Sequence, residues 1–365
     1  MPSDPRPPAA VEPKKNSART RLFQTTGRHL QAFGYVLTVI LPVLCRTRKK
    51  PVIFSRYAGM GDIVCTLPAA LELKKRHPGA TFIYNCDASS ACVPAMGGVT
   101  RFITHCRSIG IVGYWYRRLL SGFYAFSSDD DDLLHDDREC SIVAYGKNLG
   151  VKVEPPHPLL QVSAAAAGRA LALLERFKFE AAPLIILHTG PSSKVRQWPR
   201  DQWAGLVREL NRHGFKNIVQ LGARAGSYAQ ADTAETRPLP GVFSLVGELS
   251  LEQSIAVISL AGLYVGIDSG LLHVAASVRT PSVGIWGPTT PHFRFAEAER
   301  KFFVTSAVEC QGCHHRMPRL HWESGCPHDI CCQRQVTVPQ VLAACLAALQ
   351  SSPPSGRARR YQGQT

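Results

Sequence analysis

The stretch PVIFSRYAGMGDIVCTLPAALELKKRHPGATFIYN, residues 51–85, decides the fold class. Val52-Ile53-Phe54 is a short unbroken apolar run, the pattern of a strand buried on both faces. Tyr57-Ala58-Gly59-Met60-Gly61 follows as a turn. Residues 62–76 read as a helix closed by Pro78-Gly79, and residues 80–85 as a second strand. Strand, glycine turn, helix and strand in this order open a parallel sheet.

The same alternation restarts downstream. Residues 184–188 read as a strand, and 199–213 as a helix with Pro199 at its first turn and Gly214 at its end. Strands at 217–221 and 263–267 bracket a helix at 250–261, opened by Ser250 with Gln253 three residues on, a capping box. A helix at 270–277 and a strand at 282–286 lead into Gly287-Pro288-Thr289. Between the two series lies a proline-bearing stretch, 153–163, followed by a helix near 164–178. The six aspartates of 127–137 resemble a metal motif but read more simply as a helix start. Ser128 or Asp129 caps, the acids face the positive end of a helix running to about Leu149, and Gly150 ends it. Two α/β halves in tandem predict two Rossmann-like domains, 51–165 and 166–350, facing a cleft. Ligands of such sheets bind outside the carboxyl ends of the strands.

The 365 residues are 45% hydrophobic and 19% charged, which excludes wholesale disorder. Forty-two Lys and Arg against 27 acids give a net charge of +15. Residues 1–50 carry +8 and 351–365 carry +3, leaving +4 for the 300 residues between. A nucleic-acid binder carries its basic stripe on the folded body; here the charge sits on the tails, where anionic lipid is the better partner. No signal peptide opens the chain: the first apolar run, LQAFGYVLTVILPVLC at 30–45, begins well inside. Sixteen residues make a helix of roughly 24 Å, short of the ~30 Å hydrocarbon core. An interfacial membrane anchor, a helix packed on the body and a crossing helix are all open readings of it. The segment is expected to lie outside the folded halves, so that its deletion releases the protein from membranes without disturbing the fold.

Three loops follow strands. Gly59-Met60-Gly61-Asp62 belongs to the first half; its Asp62 either caps a helix or accepts a proton. In the second half, Asp268-Ser269-Gly270 opens a helix whose N–H groups and dipole suit a diphosphate, and His273 lies one turn on, on the side of Ser269. Thr189-Gly190-Pro191-Ser192-Ser193, followed by Lys194, Arg196 and Trp198, is an anion loop or a solvated basic loop.

Together these segments resemble glycosyltransferase family 9, the heptosyltransferase type. RYAGMGDIVCTLPAALELKKRHPGA resembles that family's opening, HTGPSSKVRQWPRDQWAGLVREL its donor loop, and YVGIDSGLLHVAASVRTPSVGIWGPTTP its most distinctive stretch. The resemblance runs from about 51 to 350, with a poorly matched middle near 100–180. It implies a GT-B fold and inverting transfer of a sugar, typically from an ADP-heptose-like nucleotide sugar, to a lipopolysaccharide-core or related glycan acceptor, with no cofactor. The cysteines, mostly scattered singly in apolar runs, make a reducing cytoplasm the expected compartment, and the basic tails point to the inner face of the membrane. By match to the family's motifs, Asp62 is the general base, with Gly61 beside it on the acceptor side. Arg196 contacts the donor diphosphate where the family commonly has Lys. Asp268 holds donor-sugar hydroxyls, Ser269 and Gly270 face the diphosphate, and Thr189 and Ser192 lie in the donor loop.

Two other classes compete. Gly59-x-Gly61-x-x-Val64 with Asp87 mimics a dinucleotide fingerprint and an oxidoreductase, but Val64 stands where Gly or Ala is wanted and Asp62 would face a pyrophosphate. A membrane-tethered, metal-stapled interaction protein would rest on the tails and on the cysteine cluster at 310–332. Cys310, Cys313, Cys326 and Cys331, with Cys332 adjacent, have the spacing of a structural zinc site; disulfides and free thiols are the alternatives.

Overall fold

The computed structural model describes residues 18–49, 51–106, 124–126, 139–154, 156–180, 182–190, 193–223, 237–316 and 325–351. Strands β1 (Pro51–Ser55), β2 (Thr81–Asn85), β3 (Phe102–Thr104) and β4 (Tyr124–Phe126) form one sheet in the order β3-β2-β1-β4. Strands β5 (Ile185–His188), β6 (Ile218–Leu221), β7 (Phe243–Ser244), β8 (Leu263–Ile267) and β9 (Ser282–Ile285) form a second, ordered β7-β6-β5-β8-β9. Every pairing in both sheets is parallel. Each residue of β1, β2, β5, β6 and β8 is buried, which is why these strands read as continuous rather than alternating apolar runs. The strand order reverses between β1 and β4 and between β5 and β8. The loops after β1, β5 and β8 therefore emerge at the switch points, where a parallel sheet leaves a crevice.

Helix Met60–Arg76 of the first half packs on helix Gly270–Ser277 of the second. Two glycines allow it. A Cβ on Gly61 would stand 2.7 Å from Cδ2 of His273, and one on Gly270 would stand 3.2 Å from the backbone nitrogen of Gly61. The linker ties both halves: Gln161 N–H donates to Met96 (2.8 Å) and Leu160 N–H to Ser277 (3.0 Å). The Ser250–Gln253 capping box is present on helix Leu251–Leu260.

The N-terminal segment differs from expectation. Helix Ala18–Tyr35, a π-helical turn Val36–Ile40 and helix Leu41–Thr47 run on without a break. The wide turn absorbs Pro42, which cannot donate and would clash one turn back. One face lies on the first sheet: Tyr35 and Ile40 pack with Ile53 and Ile83, and the Tyr35 hydroxyl meets that of Thr104 at 2.8 Å. The segment is thus part of the folded body rather than outside it, because its aliphatic face is the cover that sheet needs. The opposite face leaves Leu30, Phe33, Leu37 and Leu41 exposed. The acidic run at 127–137 lies outside the described residues. The helix expected to run through it to Leu149 is Ser141–Asn148, with Cys140 extended before it and Gly150 in the left-handed conformation after it.

Candidate active site

Asp62 sits in the first turn of helix Met60–Arg76, after an N-cap glycine, Gly59. Its carboxylate is not spent on capping. Oδ1 accepts from the Tyr145 hydroxyl (3.2 Å) and from Nη1 of Arg294 (3.4 Å), and lies 3.8 Å from Nη2 of Arg56. Arg56, buried at the end of β1, donates to the Tyr145 hydroxyl at 2.7 Å. All these contacts use Oδ1. Among the described residues Oδ2 has no hydrogen-bond partner; it lies 3.4 Å from where a Cβ on Gly59 would stand, so a larger residue there would crowd it. Asp62 is 27% exposed, open enough to meet a ligand.

The second half contributes a denser set. Asp268, buried after β8, accepts at Oδ2 from the Thr289 hydroxyl (2.6 Å) and from Nη1 of Arg196 (3.4 Å). The same Nη1 donates to the Asp268 carbonyl at 2.9 Å. Burial pulls the Arg196 pKa down and Asp268 opposes that pull. Ser269 is the N-cap of helix Gly270–Ser277, yet its side chain caps nothing; Oγ pairs with Nδ1 of His188 at 3.1 Å. Burial pushes the His188 pKa down to about 4, so that ring is a neutral partner at physiological pH. Ser269 leaves the first N–H groups of the helix without a side-chain cap, and a helix N-terminus in that state favours an anion. Arg294 joins the two sets. Burial opposes its charge, but Asp62 directly and Asp268 at longer range outweigh this and raise its pKa.

The sequence-predicted residues are thus only partly brought together. Asp62 with Gly61, and Asp268, Ser269, Gly270 and Arg196, line up across the junction of the halves. Thr189 lies behind them, buried, its hydroxyl accepting from Gln220 at 2.9 Å. Ser192 lies outside the described residues. His273 does not join Ser269: its ring turns to the first half, where Nδ1 meets Nε2 of His157 at 2.8 Å and Cys65 Sγ at 3.5 Å. Arg56, Tyr145, Thr289 and Arg294 escaped sequence reading. Only Thr289 carried a signal, as the last residue of Gly287-Pro288-Thr289 after β9. A groove of about 610 Å³ beside the linker, lined by Leu71, Lys75 and Val153, contains none of these groups.

The cysteine cluster stands behind the site. All twelve cysteines are unbridged. Cys310 and Cys331 approach to 3.7 Å between sulfurs, and the other three lie close enough to act on their charge. Burial, with its neighbours adding, pushes the Cys332 thiol up to about 12. The expected foursome is not closed, however. Among the described residues, the group of three ligand atoms lying within 4.8 Å of one another is Cys65, His157 and His273. The cluster braces the Gly287–Thr290 loop: Gly312 N–H donates to Gly287 (3.1 Å), His314 N–H to Pro288 (2.8 Å) and Gln311 Nε2 to Thr289 (3.4 Å).

Comparison with known proteins bears on the fold and the family. The lipopolysaccharide heptosyltransferase 2 of Salmonella typhimurium is 29% identical over 158 residues, 41% of this chain and 45% of that protein; the match thus spans under half of the relative. Among solved structures, the glycosyl transferase family 9 protein from Veillonella parvula superposes with a TM-score of 0.61 at 15% identity, over 83% of this chain and 98% of that one. The iron-containing dodecameric glycosyltransferase TibC of enterotoxigenic E. coli H10407 gives 0.61 at 17% identity, over 83% and 77%. The same protein in complex with ADP-D-beta-D-heptose gives 0.62 at 18% identity, over 83% and 77%. These establish the two-sheet GT-B fold. The profile of glycosyltransferase family 9 (heptosyltransferase) matches residues 98–322, well over half of the chain, and the chain belongs to that family.

Proposed function

We propose that this protein transfers a sugar, with inversion, from an ADP-heptose-like nucleotide sugar to a glycan acceptor of the lipopolysaccharide-core type. The observation that carries the reading is the pairing of Asp62 in one half with the Arg196–Asp268–Ser269 set in the other, bridged by Arg294. In this reading the acceptor hydroxyl stands against Oδ2 of Asp62 and gives up its proton as its oxygen attacks the anomeric carbon. Tyr145, Arg56 and Arg294 hold Oδ1 and so aim the other oxygen. The bond to the diphosphate breaks on the opposite side. Arg196 and the N–H groups of Ser269 and Gly270 take the charge that develops there. Asp268, oriented by Thr289 and Arg196, holds hydroxyls of the donor sugar, with Thr189 and Ser192 completing the donor loop. No step calls for a metal or a redox cofactor. A dinucleotide at the Gly59–Gly61 turn would meet the Asp62 carboxylate, which disfavours the oxidoreductase reading.

Within the cysteine cluster, the Cys310–Cys331 pair has the spacing of two ligands of a structural metal such as zinc, which would have to draw the remaining sulfurs in. Thiolates bound at ~2.3 Å in a tetrahedron stand about 3.8 Å apart, close to the Cys310–Cys331 separation. Cys313 and Cys326 would close the set, and the metal would stiffen the loop that carries Thr289. The exposed row Leu30, Phe33, Leu37 and Leu41, with Arg46, Arg48 and Lys49 at its end, fits peripheral binding to an anionic membrane, on the cytoplasmic face where nucleotide sugars are made available.

The test is direct. ADP and a panel of nucleotide sugars are titrated against the protein by thermal shift, and hits are assayed for nucleoside diphosphate release with a core-glycan acceptor. Stabilisation by ADP-linked ligands with acceptor-dependent release supports the reading; a flat panel rejects it.

A further inference from the structure

The Cys65–His157–His273 group raises the question of a metal first. Two imidazole nitrogens on a tetrahedral metal, bound at ~2.0–2.1 Å, stand about 3.3 Å apart. His157 Nε2 and His273 Nδ1 are 2.8 Å apart, a hydrogen bond. Behind His157, its Nδ1 lies 3.0 and 2.9 Å from the two Glu299 oxygens, and its backbone N–H donates to Glu299 at 2.8 Å. Ala296 N–H also donates to that carboxylate, at 3.0 Å. The result is a carboxylate–imidazole–imidazole chain at the junction of linker, first half and second half, with both imidazoles buried and Glu299 partly so.

We propose that Glu299, His157 and His273 are positioning residues that form one proton-carrying chain, setting the pose of helix Gly270–Ser277 against Asp62 and taking up a single proton as a unit. The order of protons follows from the acceptors. Burial works against the Glu299 charge, but His157 and two backbone N–H groups more than offset it, and its pKa is lowered. An ionised carboxylate only accepts, so His157 carries a proton on Nδ1. In the neutral chain Nε2 of His157 then accepts, His273 carries its proton on Nδ1, and Nε2 of His273 is bare. That ring edge presses on Gly61, 3.1 Å from where a Cβ would stand and one residue from Asp62. An incoming proton lands on Nε2 of His273 while the Nδ1 proton passes to His157, whose cation is then held by Glu299. One proton thus turns the His273 edge from acceptor to donor.

Other charged groups face the chain. From the first half come Cys65, Cys140 and Asp62; from the second come Arg196 and Arg294, and Arg279, which donates to the His157 carbonyl at 2.8 Å and lies 3.8 Å from Glu299. At His273 burial holds the proton off first, and the neighbouring His157, Arg294 and Arg196 add to it. Glu299 is the group that favours it. The consequence for Asp62 and the donor loop rests on the proposed function; the chain itself does not.

The experiment is long-range proton–nitrogen NMR of the full-length protein labelled at its 13 histidines, with His157→Gln and His273→Gln used for assignment. At about pH 8 both rings are expected to be protonated at Nδ1, and on acidification their signals move together with one midpoint. In Glu299→Gln that midpoint falls by about 1–3 pH units, because the charge that stabilised the cation is gone. An Nε2–H form of either ring near pH 8, separate midpoints, or an unmoved midpoint in folded Glu299→Gln overturns the proposal. Should Glu299→Gln not fold, the wild-type ring forms and the shared midpoint decide alone. Failure of the glycosyltransferase assay leaves this reading intact, and the reverse holds equally.

Discussion

Asp62→Asn separates the roles open to that residue. A cap predicts little change, since Asn caps about as well as Asp. The structure predicts otherwise even for stability, because the carboxylate is the counter-ion of Arg294 at 3.4 Å and of buried Arg56 at 3.8 Å. At an effective dielectric of about 20, a unit pair at 3.4 Å attracts by about 5 kcal/mol. Asp62 is partly solvated and Asn keeps one hydrogen bond, so the net loss is discounted to about 1–3 kcal/mol. In a chain of 365 residues that lowers the melting temperature by roughly 1–4 °C. The catalytic effect is larger: loss of a positioned proton acceptor lowers turnover ~10²–10⁴-fold. Two measurements on the same preparation suffice, melting by calorimetry and ADP release at saturating donor and acceptor. ADP affinity should hold within about threefold, since the diphosphate site is assigned to the other half. Tyr145→Phe is the control; it removes one hydrogen bond to Oδ1 and should cost no more than about tenfold in turnover. A folded Asp62→Asn protein that turns over near the wild-type rate refutes the assignment.

Gly61→Ala places a Cβ 2.7 Å from the His273 ring, and is expected to lose about 1–3 kcal/mol in stability and to raise donor KM as the halves are wedged apart. Replacing Leu30, Phe33, Leu37 and Leu41 together by Ser should abolish flotation with anionic vesicles and leave melting nearly unchanged, whereas deleting residues 1–50 should lower melting by uncovering Ile53 and Ile83. His188, held neutral to about pH 4, takes up a proton more readily when unfolded. Its contribution is whole above about pH 6.5 and falls away towards pH 4 by roughly 3 kcal/mol; His188→Gln should flatten the fall seen in pH-dependent denaturant titrations. Protein prepared under reducing conditions should release about one equivalent of metal on denaturation, and Cys310→Ser should lose it together with thermal stability.

What the chain determined locally is extensive. Strands β1, β5 and β8 are carried by apolar runs such as Val52-Ile53-Phe54 and Ile185-Ile186-Leu187, and a run buried on both faces needs no partner to be recognised. Helix Gly270–Ser277 and strand Leu263–Ile267 begin and end where the glycine and serine punctuation places them, and Ser250 with Gln253 marks a helix start, because caps and turns are decided within four or five residues. Asp62, Asp268, Ser269 and Arg196 were legible as residues that follow strands. Pairing distant segments was not. Tyr145, 83 residues from Asp62, and Arg294, 232 residues away, carry no pattern of their own; they matter only because two sheets bring them to one carboxylate. His273 looked like a donor residue from its spacing to Ser269, and turned the other way because His157 and Glu299 offer it a buried hydrogen bond. The apolar run at 30–45 looked like a separable anchor, and is half cover for a sheet, since hydrophobicity records that a face must be buried and not what buries it. Sequence fixes the periods and the caps through short-range sterics and hydrogen bonds; long-range packing alone decides which charges meet.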